Sequence, residues 1–338
     1  MPKPVANPNV RVSTEDLIGL RRRVEGLRLT VREPSRSILT GGHRSRFRGR
    51  GMDYQESRHY QPGDDIRNMD WRITARAGRP HVKLYEEERE RPVIVLLDLS
   101  PSMFFGTRGA FKSVAAARLA VLIGWTAVAQ GDRIGALLFG ASVAGPSAAD
   151  VAGHRELQPA GGRRAVLRLI RDLASAGDPA AITASAADGA GGRQGGMSSA
   201  LTRVRRVARP GSLVFIISDF YSMDPDTRHH LGQLRRHSDV VACQVADALE
   251  LTPPPPGRYA IGDGRRTGVL DTRPAAARER YSDYFARHHA AVLALAKAQR
   301  IPLVRLSPED DPVARLAEGL ALRTRLGRPV PASGVAVA

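Results

Sequence analysis

From residue 92 onward the chain alternates solid apolar runs with longer stretches of helical spacing. VIVLLD (93–98), RIGALLF (133–139), SLVFIIS (212–218), DVVACQV (239–245) and IPLVRLS (301–307) carry too few polar positions for half-exposed strands. Runs of this kind are expected in a parallel sheet covered on both faces. Between them, Ala110–Gln130, the RRAVLRLIRDLA segment within 157–173, Ser199–Ala208, Pro225–His237, Ala275–Arg300 and Pro312–Leu326 read as helices. Strands alternating with helices mean βαβ units, hence an α/β fold with a doubly wound, mostly parallel sheet. Residues 174–196 are rich in Ala, Gly and Asp and read as a loop. PPPP at 253–256 breaks the chain, and GRYAIGDGRRTGVLDT reads as a β-hairpin within an insertion at 251–272.

The first 90 residues have a different texture. Residues 1–12 are rich in Pro and Asn and read as disordered, and Ser13–Leu29 is helical in pattern, with Ser13 or Thr14 as cap. Residues 30–90 hold short β-like pieces and a turn at Gln61-Pro62-Gly63-Asp64-Asp65, followed by Trp71, which reads as an anchor of this module on the main sheet; the alternative is that Asp64 and Asp65 belong to a partner-facing surface. The expected organisation is therefore a start and helix over 1–29, a small β-rich N-terminal module over 30–90, the α/β domain over 91–326 and a tail over 327–338.

Composition narrows the class. With 338 residues, 42% hydrophobic and 25% charged, the chain can bury a sizeable core. No uninterrupted apolar run reaches the ~18 residues of a membrane span, and MPKPVANPNV lacks the apolar stretch of a secretory signal. Cys243, the single cysteine, lies in an apolar run and reads as a buried, inert thiol. A cytoplasmic location is the expectation. The formal net charge is +17, with lysine only at Lys3, Lys83, Lys112 and Lys297 and arginine elsewhere. The basic excess is spread along the chain and is dense only in HRSRFRGR (43–50), without interleaved aromatics, so it reads as a generally basic surface. Nucleic-acid binding is the alternative that this charge keeps open.

Candidate chemistry sits at two strand ends. VIVLLD ends in Asp98, with Ser100 and Ser102 at alternating positions after it, and FIISD ends in Asp219. In open α/β sheets ligands sit beyond the carboxyl ends of the strands. A carboxylate with hydroxyls is a hard-oxygen donor set, suited to Mg²⁺ or Mn²⁺ rather than Zn²⁺. The competing reading is structural: Ser102 caps the next helix and Asp98 pins a loop. Catalytic signatures are missing: there is no P-loop, and GASVA (140–144) lacks the last glycine of a nucleophile elbow. The pairs His229-His230 and His288-His289 and the run Glu86–Glu90 read as solvated surface.

The strand with Asp98-x-Ser100-x-Ser102, the long helix after it and Gly131-Asp132-Arg133 leading the next strand resemble a von Willebrand factor A domain and its metal-ion-dependent adhesion site. Tyr60-Gln-Pro-Gly-Asp-Asp65, Asp70-Trp71-Arg72, Ala75-Arg76, Gly78, Glu86-Glu87-Glu88, Ser218-Asp219-Phe220 and the 258–272 hairpin are similar to the bacterial domain of unknown function 58 family, over roughly residues 30–326. That resemblance implies a cation, Mg²⁺ or Mn²⁺, ligated by Ser100 and Ser102, with Asp98 and Asp219 ligating it or holding its waters. It also implies a threonine after paired glycines. Here Gly195-Gly196 is followed by Met197, a poor ligand, and Ser198 stands in. The implied function is a non-enzymatic adaptor that binds proteins, working with a MoxR-type AAA+ ATPase on a client protein. A metal-dependent hydrolase on the same carboxylates is a further alternative, weakened by the lack of a general base beside the site.

Overall fold

The computed structural model describes residues 7–29, 52–87, 91–140, 153–179, 196–262 and 267–327. Two compact units divide the chain, one made of 1–31 with 91–338 and the other of 32–90. In chain order the elements are α1 (Thr14–Gly19), β1 (Met52–His59), α2 (Trp71–Ala77), β2 (His81–Glu87), β3 (Pro92–Asp98), α3 (Lys112–Ala129), β4 (Arg133–Phe139), β5 (His154–Ala160), α4 (Arg163–Ala176), α5 (Met197–Val207), β6 (Leu213–Ser218), α6 (Thr227–Arg235), β7 (Asp239–Val245), α7 (Ala248–Leu251), β8 (Arg258–Gly262), β9 (Thr267–Asp271), α8 (Ala275–Ala298), β10 (Leu303–Leu306) and α9 (Pro312–Gly327).

The larger unit is built on a six-stranded sheet in the order β10-β7-β6-β3-β4-β5, parallel except for β5. The chain enters at β3 in the middle, grows outward through β4 to β5, then returns to the other side of β3 for β6, β7 and β10. This is the doubly wound order, with its reversal between β3 and β6. Alternation along β3 explains why the run is wholly apolar. Val93, Val95 and Leu97 enter one core with α3, α4 and α9, while Ile94 and Leu96 enter a second with α5, α6 and α8. Cys243 lies buried in the first core, and burial pushes its thiol up to about 12. Helix α3 is the one helix among the described residues long and apolar enough to cross a membrane, and 83% of that stretch is buried inside the protein.

Several elements differ from the sequence expectation. Strand β5 (HRELQPA) is not an apolar run, because it is an edge strand with one neighbour and half-exposed positions. It carries Pro159, which an edge tolerates. The N-terminal helix is shorter than 13–29: α1 passes into a 3₁₀ turn over Leu20–Arg23. Residues 7–12, read as disordered, are tied down. Phe111 N donates to Asn9 O at 2.8 Å, and Val12, Leu17 and Leu29 are buried in the first core. Gln130 holds the same segment from two sides, donating to Leu27 O at 3.0 Å and accepting from Leu29 N at 3.3 Å.

The smaller unit is an antiparallel pair, β1 with β2, around the short helix α2. Asp64, Asp65 and Asp70 serve turns and caps. Asp64 accepts from Arg58 at 2.7 Å and Gln61 N at 2.9 Å, Asp65 caps the 3₁₀ turn at Arg67 N, and Asp70 caps α2 at Ile73 N. Trp71 lies on the first turn of α2 and is 65% exposed. The side chains of Glu86–Glu90, the segment 43–50 and the hairpin turn 263–266 lie outside the described residues.

Candidate functional site at the sheet reversal

Strands β3 and β6 are parallel neighbours, with Leu97 opposite Ile217, so Asp98 and the Ser218-Asp219 pair leave the sheet side by side at the reversal. Asp98 is fully buried and accepts four hydrogen bonds. Its Oδ1 takes the Ser100 amide at 2.8 Å and the Ser100 hydroxyl, and its Oδ2 takes the hydroxyls of Ser218 at 2.6 Å and Ser222 at 2.8 Å. The bond to the amide two residues on is the turn that aspartate favours after a strand. Ser218 Oγ also accepts from Phe220 N at 2.7 Å, and Phe220 sits at a left-handed φ of 67°. Such a conformation costs roughly 1–2 kcal/mol for a residue with a Cβ. Burial of the Phe220 ring in the second core offsets it.

A charge cluster missed from the sequence lies beside this aspartate. Lys112, 1% exposed, donates from Nζ to Asp219 Oδ2 at 2.9 Å and to Glu250 Oε1 at 2.6 Å. Its ammonium also lies over the rings of Tyr221, 5.5 Å away, and Phe105, 6.0 Å away. Glu250 accepts the Asp247 amide through Oε2 at 2.9 Å, closing the capping box of α7. Asp247 in turn accepts from Thr107 N at 2.9 Å and Thr107 Oγ1 at 2.5 Å. His288 and His289, expected at the solvated surface, are half-buried and close the far side. His288 Nε2 donates to Asp219 O at 2.8 Å and stacks on Tyr221 with centroids 3.8 Å apart. His289 Nε2 donates to Glu250 O at 3.2 Å while its Nδ1 accepts from Gln244 at 3.0 Å, the pattern of a neutral imidazole. Burial lowers its pKa, in keeping with that state. One signal in the sequence pointed here: a rare lysine opens a helix whose other positions are almost all apolar.

Burial, with the Asp219 charge nearby, raises the Asp98 carboxyl above its usual range. Burial raises Glu250 too, with Lys112 pulling it back. A carboxyl raised in the folded state binds its proton more tightly there than in the unfolded chain. Its contribution to stability is therefore present below the ordinary carboxylate pKa and is lost as pH climbs through the folded value. The expected result is that the stability of wild type minus that of Asp98→Asn falls as pH rises from about 4 towards 7 in urea unfolding. A flat difference, or one that rises, would refute the shift. Taking the difference cancels carboxylates such as Asp310, whose lowered pKa acts with the opposite sign.

Of the five expected ligands, Asp98, Ser100, Ser102 and Asp219 come from the two loops at the reversal. Ser100 and Ser102 begin and lie within the 3₁₀ turn Pro101–Met103, and helix α3 starts only at Lys112, so Ser102 does not cap it. Ser198 lies at the start of α5, whose Met197 N donates to Ser222 O at 3.2 Å. Its hydroxyl, however, is bonded to Asp224. Met197, at the position where a threonine is implied, has its side chain in the second core, 1% exposed.

Whether these residues fit a divalent cation divides on hardness and charge. Ser100 gives its proton to Asp98, which leaves oxygen lone pairs of the kind Mg²⁺ takes. The charges fit poorly. Asp219 already carries a buried ammonium, Ser198 is bonded to Asp224, and both Asp98 oxygens are filled by donors. Among the described residues, no three His, Cys, Asp or Glu side chains are grouped for a metal.

Residues 56–291 match the family described as protein of unknown function DUF58. The chain belongs to that family. Uncharacterized proteins of Mycobacterium bovis and Mycobacterium tuberculosis are 29% identical to it over 300 residues, covering 88% of this chain and 88% of theirs. Similar solved structures include the conserved hypothetical protein BatB from Bacteroides thetaiotaomicron, 14% identical, with a TM-score of 0.41 over 70% of this chain and 99% of that one. They also include a von Willebrand factor type A protein from Catenulispora acidiphila, 12% identical, with a TM-score of 0.33 over 73% of this chain and 43% of that one. The family match thus spans the small unit from Glu56 onward, the whole β3–β6 reversal and most of α8.

Proposed function

We propose that this DUF58 protein is a non-enzymatic adaptor. It docks partner proteins on the face at the carboxyl ends of β3 and β6, and works with a MoxR-type AAA+ ATPase in remodelling a client. The observation that carries this reading is the gathering of Asp98, Ser100, Ser102 and Asp219 at the sheet reversal, the place where open α/β sheets receive ligands. The buried state of Asp98 and its four donors speak against a role as general base, which needs an open lone pair within reach of a substrate proton. The ATPase half of the proposal rests on the motifs shared with the family. In a cation-gated form of the reading, Mg²⁺ on Ser100 and Ser102 would accept a partner carboxylate.

The test is a pull-down of the family's AAA+ ATPase by the full chain in Mg²⁺, in EDTA, and with Asp98→Ala checked for folding by circular dichroism. Retention by wild type and loss in Asp98→Ala supports docking at this face, and the EDTA arm decides whether a cation takes part. Equal retention in all three moves docking to another surface. Recovery of nucleic acid in place of the ATPase would put the basic-surface alternative first.

A further inference from the structure

We propose that Lys112 is the resident cation of this site: by binding Asp219, its ammonium takes up the charge that a divalent ion at Asp98, Ser100, Ser102, Ser198 and Asp219 would need. The inference does not depend on docking and stands or falls by itself. A divalent site at the reversal needs the charge of Asp219 to be available, and that charge is met from inside. Lys112 Nζ lies 2.9 Å from Asp219 Oδ2 and 2.6 Å from Glu250 Oε1, with both partners buried. An ammonium has three protons to place. Two go to these carboxylates, and the flanking faces of Tyr221 and Phe105 supply further attraction.

The lysine has no easy way out. Its own amide donates to Phe105 O at 2.9 Å, and the preceding amide donates to Asn9 O at 2.8 Å, so the backbone that bears it is held on two sides. Leaving Asp219 would strand a buried carboxylate, and staying would set a divalent ion against a buried positive charge. The remaining oxygens agree with this. Ser218, Ser222 and Ser100 satisfy Asp98, and Ser198 is committed to Asp224. The carboxylates that a resident ion would neutralise are thus already neutralised or hydrogen-bonded by the chain itself.

The test is a Mn²⁺ titration of the full chain, followed by electron paramagnetic resonance, for wild type, Asp98→Ala and Lys112→Met. Wild type is expected to show no saturable binding below ~1 mM. Folded Lys112→Met is expected to bind Mn²⁺ at least ~10-fold more tightly than wild type. Saturable wild-type binding that disappears in Asp98→Ala would overturn the inference, and so would a folded Lys112→Met that binds no better than wild type. Should Lys112→Met not fold, ¹⁵N-lysine NMR of the wild type decides. The chain has four lysines, so Lys112→Arg identifies the signal. A Lys112 ammonium signal that stays sharp at ~1 mM Mn²⁺ supports the proposal, and selective broadening of that signal refutes it.

Discussion

Lys112→Met is expected to lower the unfolding free energy by about 3–5 kcal/mol, the usual cost of removing one partner from a buried ion pair. The chain pairs two buried carboxylates, Asp219 and Glu250, with this one ammonium. Methionine matches the length of the stem and keeps the packing against Phe105 and Tyr221, so the loss is electrostatic rather than steric. Against a typical total of about 5–15 kcal/mol the change is large. Urea unfolding monitored by circular dichroism measures it. The companion variant, Lys112→Met with Asp219→Asn and Glu250→Gln, should regain most of the loss, because no uncompensated charge remains. A single-variant loss below about 1 kcal/mol would mean that the pair is solvated in solution.

Gly140→Ala is the second large effect, expected at about 2–5 kcal/mol from overpacking and backbone strain together. Gly140 follows β4 at φ 126°, a conformation that residues with a Cβ rarely adopt. A Cβ there would fall on the Leu99 carbonyl carbon and lie 2.6 Å from both Leu99 O and Ser100 N. Neither strand end can yield cheaply. Leu99 N is bonded to Phe139 O at 2.7 Å, and Gly140 N to Gly153 O at 3.1 Å. Relief has to come from the turn that sets the Ser100 amide on Asp98, so the substitution disturbs the site as well as the fold. The control is Gly131→Ala, at φ 79° with nothing within 4 Å of the added Cβ. Strain alone acts there, at roughly 1–2 kcal/mol. Equal losses for the two variants in the same unfolding assay would show that the contact with Leu99 carries no weight.

The sequence by itself determined the sheet-building runs and the two aspartates that end them. VIVLLD and SLVFIIS are apolar at every position because both faces of β3 and β6 are covered, and a carboxylate at the end of such a run stands out. The motif pattern from Tyr60 to the 258–272 hairpin was equally legible, since turns, caps and hairpins are local chemistry.

Tertiary structure alone decided the rest. Edge strand β5 escaped notice because a strand with one neighbour needs no apolar run, and Trp71 proved exposed because nothing local sets a side chain's burial. Asp98 receives hydroxyls from Ser218 and Ser222, and Lys112 meets Asp219 and Glu250, across separations of more than a hundred residues. His288 and His289, on a helix with a largely polar face, are drawn in by Asp219 and Glu250 carbonyls supplied from elsewhere in the chain. Periodicity and propensity report only the neighbours of a residue in sequence. The charge balance of a buried site depends on which distant segments the sheet order brings to the same strand ends, and that order is settled only when the whole core packs.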